Sequence, residues 1–333
     1  MINLKNRGGF EMSFAMLFSI IAGAIILFLA IYATVKLINI EKGTVYAEAA
    51  KSIDNYLGDL TTGIAEGVST NMSFRKETRI FFDCSPSDIN NPFGKQTIGF
   101  SEESGIGQKW YNSTTKITRR NKYVFANSTE QGKKMFIFIK PFYMGFKVDD
   151  LIIMSTNHYC FIRNGMPSRI IAEIEDLKME NAKVADSCVS GTGNITVCFG
   201  SGCSGDIQVE NMNTNCGGCD EYEVGIVKKD GEQPVDYVGN LLYGAIFSSR
   251  GIYECNVGRL GEKTAALAEL YLGKISLVSS KNCNSVIGSN LQILNMGFGE
   301  TTMISQYLIA KSMDSDNAVA NCKIYPGEDY GNV

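Results

Sequence analysis

Hydrophobic and polar positions divide this chain into three regimes. From Met12 to Val35 no side chain is charged; as a helix the run would rise about 36 Å at roughly 1.5 Å per residue, enough to cross a hydrocarbon core of about 30 Å. It exceeds the apolar region of a cleavable secretory signal, and no small-x-small cleavage site follows it, so it reads as a transmembrane anchor. Beyond it the pattern turns amphipathic. Tyr46, Ala49, Ile53, Leu57, Leu60, Ile64 and Val68 recur every three or four residues, while Glu48, Lys51, Asp54, Asn55, Asp59 and Glu66 take the other face. The first proline after the run is Pro86, which predicts one continuous helix of about 55–60 residues; two helices broken near Gly43 are the alternative.

From Glu77 the pattern is that of strands. Arg79–Asp83, Tyr123–Ala126, Met135–Pro141, Phe146–Met154 and His158–Ile162 are rich in Phe, Ile, Tyr and Val and are bounded by Gly, Asn and Ser. Pro167-Ser168 opens a helix to about Glu180, with Ile170, Ile171, Ile174 and Leu177 on one side. Strands resume at Ile195–Phe199, Ile207–Glu210 and Tyr222–Val227, and Asp230-Gly231 predicts a hairpin to Val235–Val238. The last hundred residues read as helical. Val257, Leu260, Leu267, Leu270, Tyr271 and Val278 form the inner face of a helix from about Cys255 to Ser280, and a second helix, about Thr301 to Ala318, is expected antiparallel to it.

The expected fold class is therefore α+β: a long N-terminal transmembrane and amphipathic helix, then a disulfide-rich external domain with an antiparallel β-sheet and a C-terminal helical hairpin. In residue terms this is a basic leader at 1–9, a transmembrane helix at 10–38, its amphipathic continuation at 39–70, a β-rich external region at 71–240 and a mainly helical region at 241–333. Apolar patches at Met135–Met144 and Leu151–Met154 are broken by Lys140 and Asp149-Asp150, so a single span is expected.

Composition adds size and sign. With 333 residues, 44 % apolar and 20 % charged, the part beyond the anchor can bury a sizeable core. A net charge of −4 with mixed signs argues against a nucleic-acid partner, and Arg119-Arg120 with Lys122 reads as a solvated turn. Membrane lipid is the expected partner.

Sidedness rests on sulfur and sequons. Lys5 and Arg7 before the span are nearly balanced by Lys36 and Lys42 after it, so the basic count favours a cytoplasmic N terminus only weakly. All ten cysteines (Cys84, Cys160, Cys188, Cys198, Cys203, Cys216, Cys219, Cys255, Cys283 and Cys322) lie beyond the span, as disulfides in an oxidising compartment would. So do four glycosylation triplets, at Asn71, Asn112, Asn127 and Asn194. An extracytoplasmic C-terminal domain follows. Cys255 and Cys283 bracket the long helix and would be about 42 Å apart, whereas a disulfide needs Cα atoms within about 7 Å. The returning helix is expected to bring Cys322 to Cys255 instead.

Arg7-Gly8-Gly9-Phe10-Glu11 followed by an apolar helix resembles the class III signal of type IV pilins, especially archaeal pilin-like proteins. The resemblance covers about the first 40 residues. It implies cleavage after Gly9, Phe10 as the mature first residue, and a role for Glu11 beside a neighbouring subunit's amine. Glu11 falls second in the mature chain, where the bacterial family places its glutamate fifth. Other pilin-like subunits, contacted through the N-terminal helix, are the further implied partner.

Candidate chemistry is sparse. Cys216-Gly-Gly-Cys219 has the spacing of a redox pair, but Asp220, Glu221 and Glu223 disfavour a thiolate. With Cys198 and Cys203 it approaches zinc-ribbon spacing, and in an oxidising compartment two structural disulfides are the better reading. Gly200-Ser-Gly202-Cys-Ser-Gly205 matches G-x-G-x-x-G, yet a strand follows where a dinucleotide site needs a helix. His158 is the single histidine, Ser73-x-x-Lys76 and Ser113-x-x-Lys116 lack support as dyads, and Asp314-Ser-Asp316-Asn317 lacks the glycine and closing glutamate of a calcium loop. No metal, cofactor or catalytic residue is assigned. The expectation is a pilin-like, single-pass surface protein with a structural, adhesive or minor-pilin role; an unprocessed single-span protein with a ligand-binding domain and an anchored thiol enzyme are the alternatives.

Overall fold

A computed structural model describes residues 14–59, 69–102, 110, 116–189, 193–212, 219–298 and 302–326. The chain divides into two compact units, Met1–Ser52 and Ile53–Val333. Helix α1 (Phe14–Asp59) is continuous through Gly43, so the two-helix alternative does not hold. Of the amphipathic stripe, Ile53 is fully buried, and Asp54 beside it pairs with Arg119 at 2.5 Å. The predicted continuation to residue 70 needs correcting at its end. Ser69 and Thr70 open strand β1 (Ser69–Ser85), because their backbones pair with Phe138 and Ile137. Leu60, Ile64 and Val68 lie outside the described residues.

The first sheet has the order β3-β2-β1-β5-β6-β4, built from β1, β2 (Lys95–Glu102), β3 (Lys116–Arg119), β4 (Tyr123–Phe125), β5 (Thr129–Tyr143) and β6 (Lys147–Ser155). All its pairings are antiparallel except β4 with β6. The second sheet has the order β12-β11-β10-β9-β7-β8, from β7 (His158–Ile162), β8 (Ala182–Ala185), β9 (Asn194–Phe199), β10 (Ile207–Asn211), β11 (Val224–Lys229) and β12 (Val235–Val238). Here the antiparallel expectation fails, since β7 pairs in parallel with both β8 and β9, and β9 with β10. Parallel neighbours need a crossover. Helix α2 (Ser168–Asp176) supplies it between β7 and β8, burying Ile170 and Ile174.

Helix α3 (Leu241–Phe247) joins the two sheets. All seven residues are buried, and the helix touches β4 and β6 of one sheet and β11 and β12 of the other. Phe247 packs against Phe138 of the first sheet at 5.2 Å and against Tyr159 and Phe161 of the second at 4.2 and 6.3 Å between ring centroids. Gly244 is needed at the closest approach, for a Cβ there would come within 2.7 Å of the Phe125 ring.

Helix α4 (Arg250–Ser279) lies against β1, β4 and β6. Its first turns are fixed by a polar knot. Arg259, fully buried, donates to the carbonyls of Phe93 and Lys122 and to Asn256 Oδ1, and stacks on Tyr123 at 4.7 Å. Gly94 (φ +60°) makes room, because a Cβ there would meet Ser85 O at 2.4 Å.

The expected two-helix hairpin is a three-legged arrangement. Short helix α5 (Gly288–Leu294) and the turn after it form the returning leg, bringing Phe298 against Gly261; α6 (Met303–Val319) then runs toward the far end of α4. This overturns the Cys255–Cys322 pairing. Cys322 arrives at Cys283 (Cα–Cα 5.7 Å), and Cys255 bonds to Cys84 of β1 (6.1 Å). Leu270, expected on the inner face of α4, is 66 % exposed.

Two substitutions separate core from surface. Phe247→Ala is expected to lose about 3–5 kcal/mol in denaturant unfolding, as buried aromatic truncations do. Leu270→Ala is expected to change stability by no more than about 0.5 kcal/mol.

Candidate functional site

The most unusual surface of the molecule is the first half of α1. Phe14–Lys36 has a mean hydropathy of 2.8, none of it is buried, and it is the one helix among the described residues long and apolar enough to cross a membrane. Phe14, Phe18, Ile26, Leu27 and Phe28 are each more than 60 % exposed. Its aliphatic hydroxyls Ser19 and Thr34 are satisfied within the helix: Ser19 donates to Ala15 O and Thr34 to Ala30 O. Neither carries an unmet donor into an apolar medium. Where the apolar run ends, the Lys36 ammonium sits 5.8 Å over the Tyr32 ring, an aromatic and cationic pairing suited to a headgroup region. Gly9, Phe10 and Glu11, the expected processing residues, lie outside the described residues.

The cysteines form bonds between elements. Cys84–Cys255 ties β1 to α4 across 171 residues, Cys160–Cys188 ties β7 to the segment after β8, Cys198–Cys203 closes the β9–β10 connection, and Cys283–Cys322 joins the ends of the helical region. Cys219 is disulfide-bonded, and Cys216 lies outside the described residues. Cys198 and Cys203 therefore spend their sulfur on each other, which removes the zinc-ribbon arrangement. Gly200 (φ +110°) and Gly202 (φ +75°) allow the seven-residue reversal between parallel β9 and β10. Asp206 fastens it by accepting from both Thr196 N and Thr196 Oγ1.

The sequons differ in what their amides do. Asn71 is exposed on β1 and its Nδ2 donates to Glu180. Asn127 is half-buried, with Nδ2 donating to the buried Glu130 at 2.7 Å. Asn194 begins β9, half-buried, and Asn112 lies outside the described residues. His158 is exposed and meets the Phe136 ring edge-on at 5.6 Å. Asn317, from the acidic motif in α6, is buried and holds the chain after the helix, accepting from Ile324 N and donating to Tyr325 O.

Three acids held by neighbouring elements were not legible in the sequence: Glu130 and Glu223 are buried and Glu173 is half-buried. Glu173 accepts from Lys140 at 2.8 Å, Tyr243 at 2.5 Å and Arg169 at 2.7 Å, joining α2, β5 and α3. Burial opposes its ionisation, but Lys140, Tyr243 and Arg169 outweigh that and hold its carboxyl below the ordinary value. Glu223 behaves alike: burial is outweighed by Lys311, Tyr307 and the Asp220 amide, which links β11 to α6. Glu130 is the opposite case. Its hydrogen bonds come from Thr156 and Asn127, which are uncharged, and burial raises its pKa. Nearby in the fold, the Lys229 ammonium donates to Ser248 O at the end of α3, and burial lowers its pKa to about 8. Each of these groups is engaged by neighbouring elements of the same unit, so what they do chemically is hold the fold together.

No family model matches the chain, and no curated protein or solved structure is significantly similar to it. The reading of function therefore rests on the helix, the sulfur bonds and the residues themselves.

The three acids predict a pH dependence with two signs. Glu130 binds its proton more tightly folded than unfolded, so its contribution is present below the unfolded value near 4.5 and is lost as pH rises through the folded one. Glu173 and Glu223 contribute above the unfolded value and lose that contribution as pH falls. Glu130→Gln is expected to flatten the loss on the alkaline side of that value, while Glu173→Gln is expected to weaken the protein at neutral pH. Urea unfolding midpoints between pH 4 and pH 8 check both.

Proposed function

We propose that this chain is a pilin-like, single-pass membrane protein whose disulfide-bonded domain lies outside the cytoplasm. Its work is adhesion or scaffolding without catalysis, in the manner of a minor or tip-like subunit. The observation that carries the reading is the wholly exposed apolar helix Phe14–Lys36. Full burial of one Leu, Ile or Phe side chain is worth roughly 1.5–3 kcal/mol, so a face this long is covered by lipid or by the same helix of other subunits.

The disulfides support the proposed sidedness. Bonds such as Cys84–Cys255 and Cys160–Cys188 persist where thiols are not kept reduced. The Gly9-Phe10 junction supplies the processing step: a peptidase cutting there leaves Phe10 first and the apolar helix as the mature N terminus. Glu11 then lies at the edge of lipid, where a lone carboxylate is costly and an amine from an adjacent subunit relieves it.

N-terminal sequencing of protein extracted from membranes is expected to begin at Phe10, and Gly9→Leu to leave the leader in place. A wild-type protein that starts at Met1 or Ile2 would instead be a plain unprocessed anchor. In alkaline carbonate washes the protein is expected to stay with the membrane, and Leu27→Arg with Phe28→Asp to release it, since each charge at mid-span costs about 2.5–3.5 kcal/mol.

A further inference from the structure

The outer face of α4 carries an exposed stripe along its second half. Leu270 and Leu277, seven residues apart, are 66 % and 73 % exposed. Ala266, Gly273 and Ser280 lie beside them on the same face and are exposed too, and nothing stands within 4 Å of a Cβ built on Gly273. At 100° per residue this stripe is on the far side of the helix from buried Leu260, Thr264 and Ala268. Its flanks are charged with opposite signs. Glu262 and Glu269 line one edge and Lys274 the other, with Lys281 in the turn just past the end of the helix, all exposed.

We propose that α4 is a homodimerisation surface on which a second copy of this chain packs in parallel. In heptad terms Leu270 and Leu277 occupy one core position, and Ala266, Gly273 and Ser280 the other. The small residues let the two backbones approach closely while the leucines fill the seam. Charge complementarity fixes the occupant and its direction. In a parallel pair the acidic edge of one helix faces the basic edge of its mate five residues on, so Glu269 meets Lys274 of the second copy, twice by symmetry. An antiparallel pair would set acid against acid and base against base. Lys263, which occupies a seam position one heptad earlier, is engaged with Asp149 of its own chain, so the seam begins at Ala266. This inference stands on the domain alone and does not depend on leader processing.

The test uses the full-length protein in detergent, followed by sedimentation equilibrium. Glu269→Lys is expected to weaken self-association roughly five- to tenfold, and adding Lys274→Glu to restore it. Lys274 also donates to Ile324 O within its own chain, so unfolding curves accompany that variant. A gain-of-function variant is independent of this contact: Ser276→Glu places an acid in the last turns of α4, toward the Lys281 that follows the helix end in the second copy, and is expected to tighten association roughly two- to fivefold. Leu270→Cys is expected to form a symmetric disulfide dimer on mild oxidation. Association unmoved by Glu269→Lys and Ser276→Glu would overturn the proposal. So would cross-linking that occurs only when Leu270→Cys and Gly273→Cys chains are mixed, since that pairing belongs to antiparallel helices.

Discussion

The unit Ile53–Val333 depends on a single demand: seven consecutive residues, Leu241 to Phe247, must all be out of water at once. A helix that is apolar on every side cannot rest on one sheet. It needs cover all round, and strands of both sheets together with α4 provide it. The polar groups at its ends then have to be met inside the protein. Asn240 donates to Pro141 O, Tyr243 to Glu173, Ser248 Oγ to Gly244 O, and Lys229 to Ser248 O. Glu173 in turn needs Lys140 and Arg169 to remain ionised in that setting. Glu173 thus follows from the buried helix, since it is the acceptor that Tyr243 of α3 needs inside the protein.

Disulfides fasten the unit at other places. In the chain-entropy picture, closing a 171-residue loop by Cys84–Cys255 stabilises by roughly 5 kcal/mol, whereas Cys198–Cys203 contributes roughly 2. The long bond fixes α4 to β1 at the place where Asn256 donates to Val124 O and Arg259 to Phe93 O, so covalent and polar fastenings coincide. The short bond serves local geometry, since parallel β9 and β10 are joined by fewer residues than a helical crossover requires.

Much of this could be read along the chain, and the failures have definite causes. His158–Ile162 and Val235–Val238 were legible to the residue because β-branched and aromatic residues end abruptly at turn residues. Lys95–Glu102 was missed: only alternate residues such as Ile98 and Phe100 are apolar, and Gly99 weakens the strand signal. Leu241–Phe247 was missed because a residue buried on all sides shows no period at all. Overlooking Gly288–Leu294 had the largest consequence, for a two-leg reading sends Cys322 to Cys255 and a three-leg one sends it to Cys283. Of the candidate site, the apolar helix was legible from the absence of charge. The partners of Glu173, Glu223 and Glu130 were not, because each bond crosses between elements distant in sequence.

The two exposed apolar surfaces, α1 and α4, differ in kind, and that difference bears on how the proposed roles fit together. Phe14–Val35 is apolar all round and carries no charge along its length, which suits a solvent of hydrocarbon and specifies no partner geometry. The α4 stripe is narrow, edged by opposite charges, and specific in register. Two leucines per chain make a weak contact between freely diffusing molecules. The proposed anchoring would change the arithmetic, since confinement in one membrane raises the effective concentration of the domains and restricts their mutual orientation. Chains inserted with the same sidedness relate by a two-fold axis along the membrane normal, and such an axis permits the parallel pairing of equivalent helices while excluding the antiparallel one wherever those helices run along it.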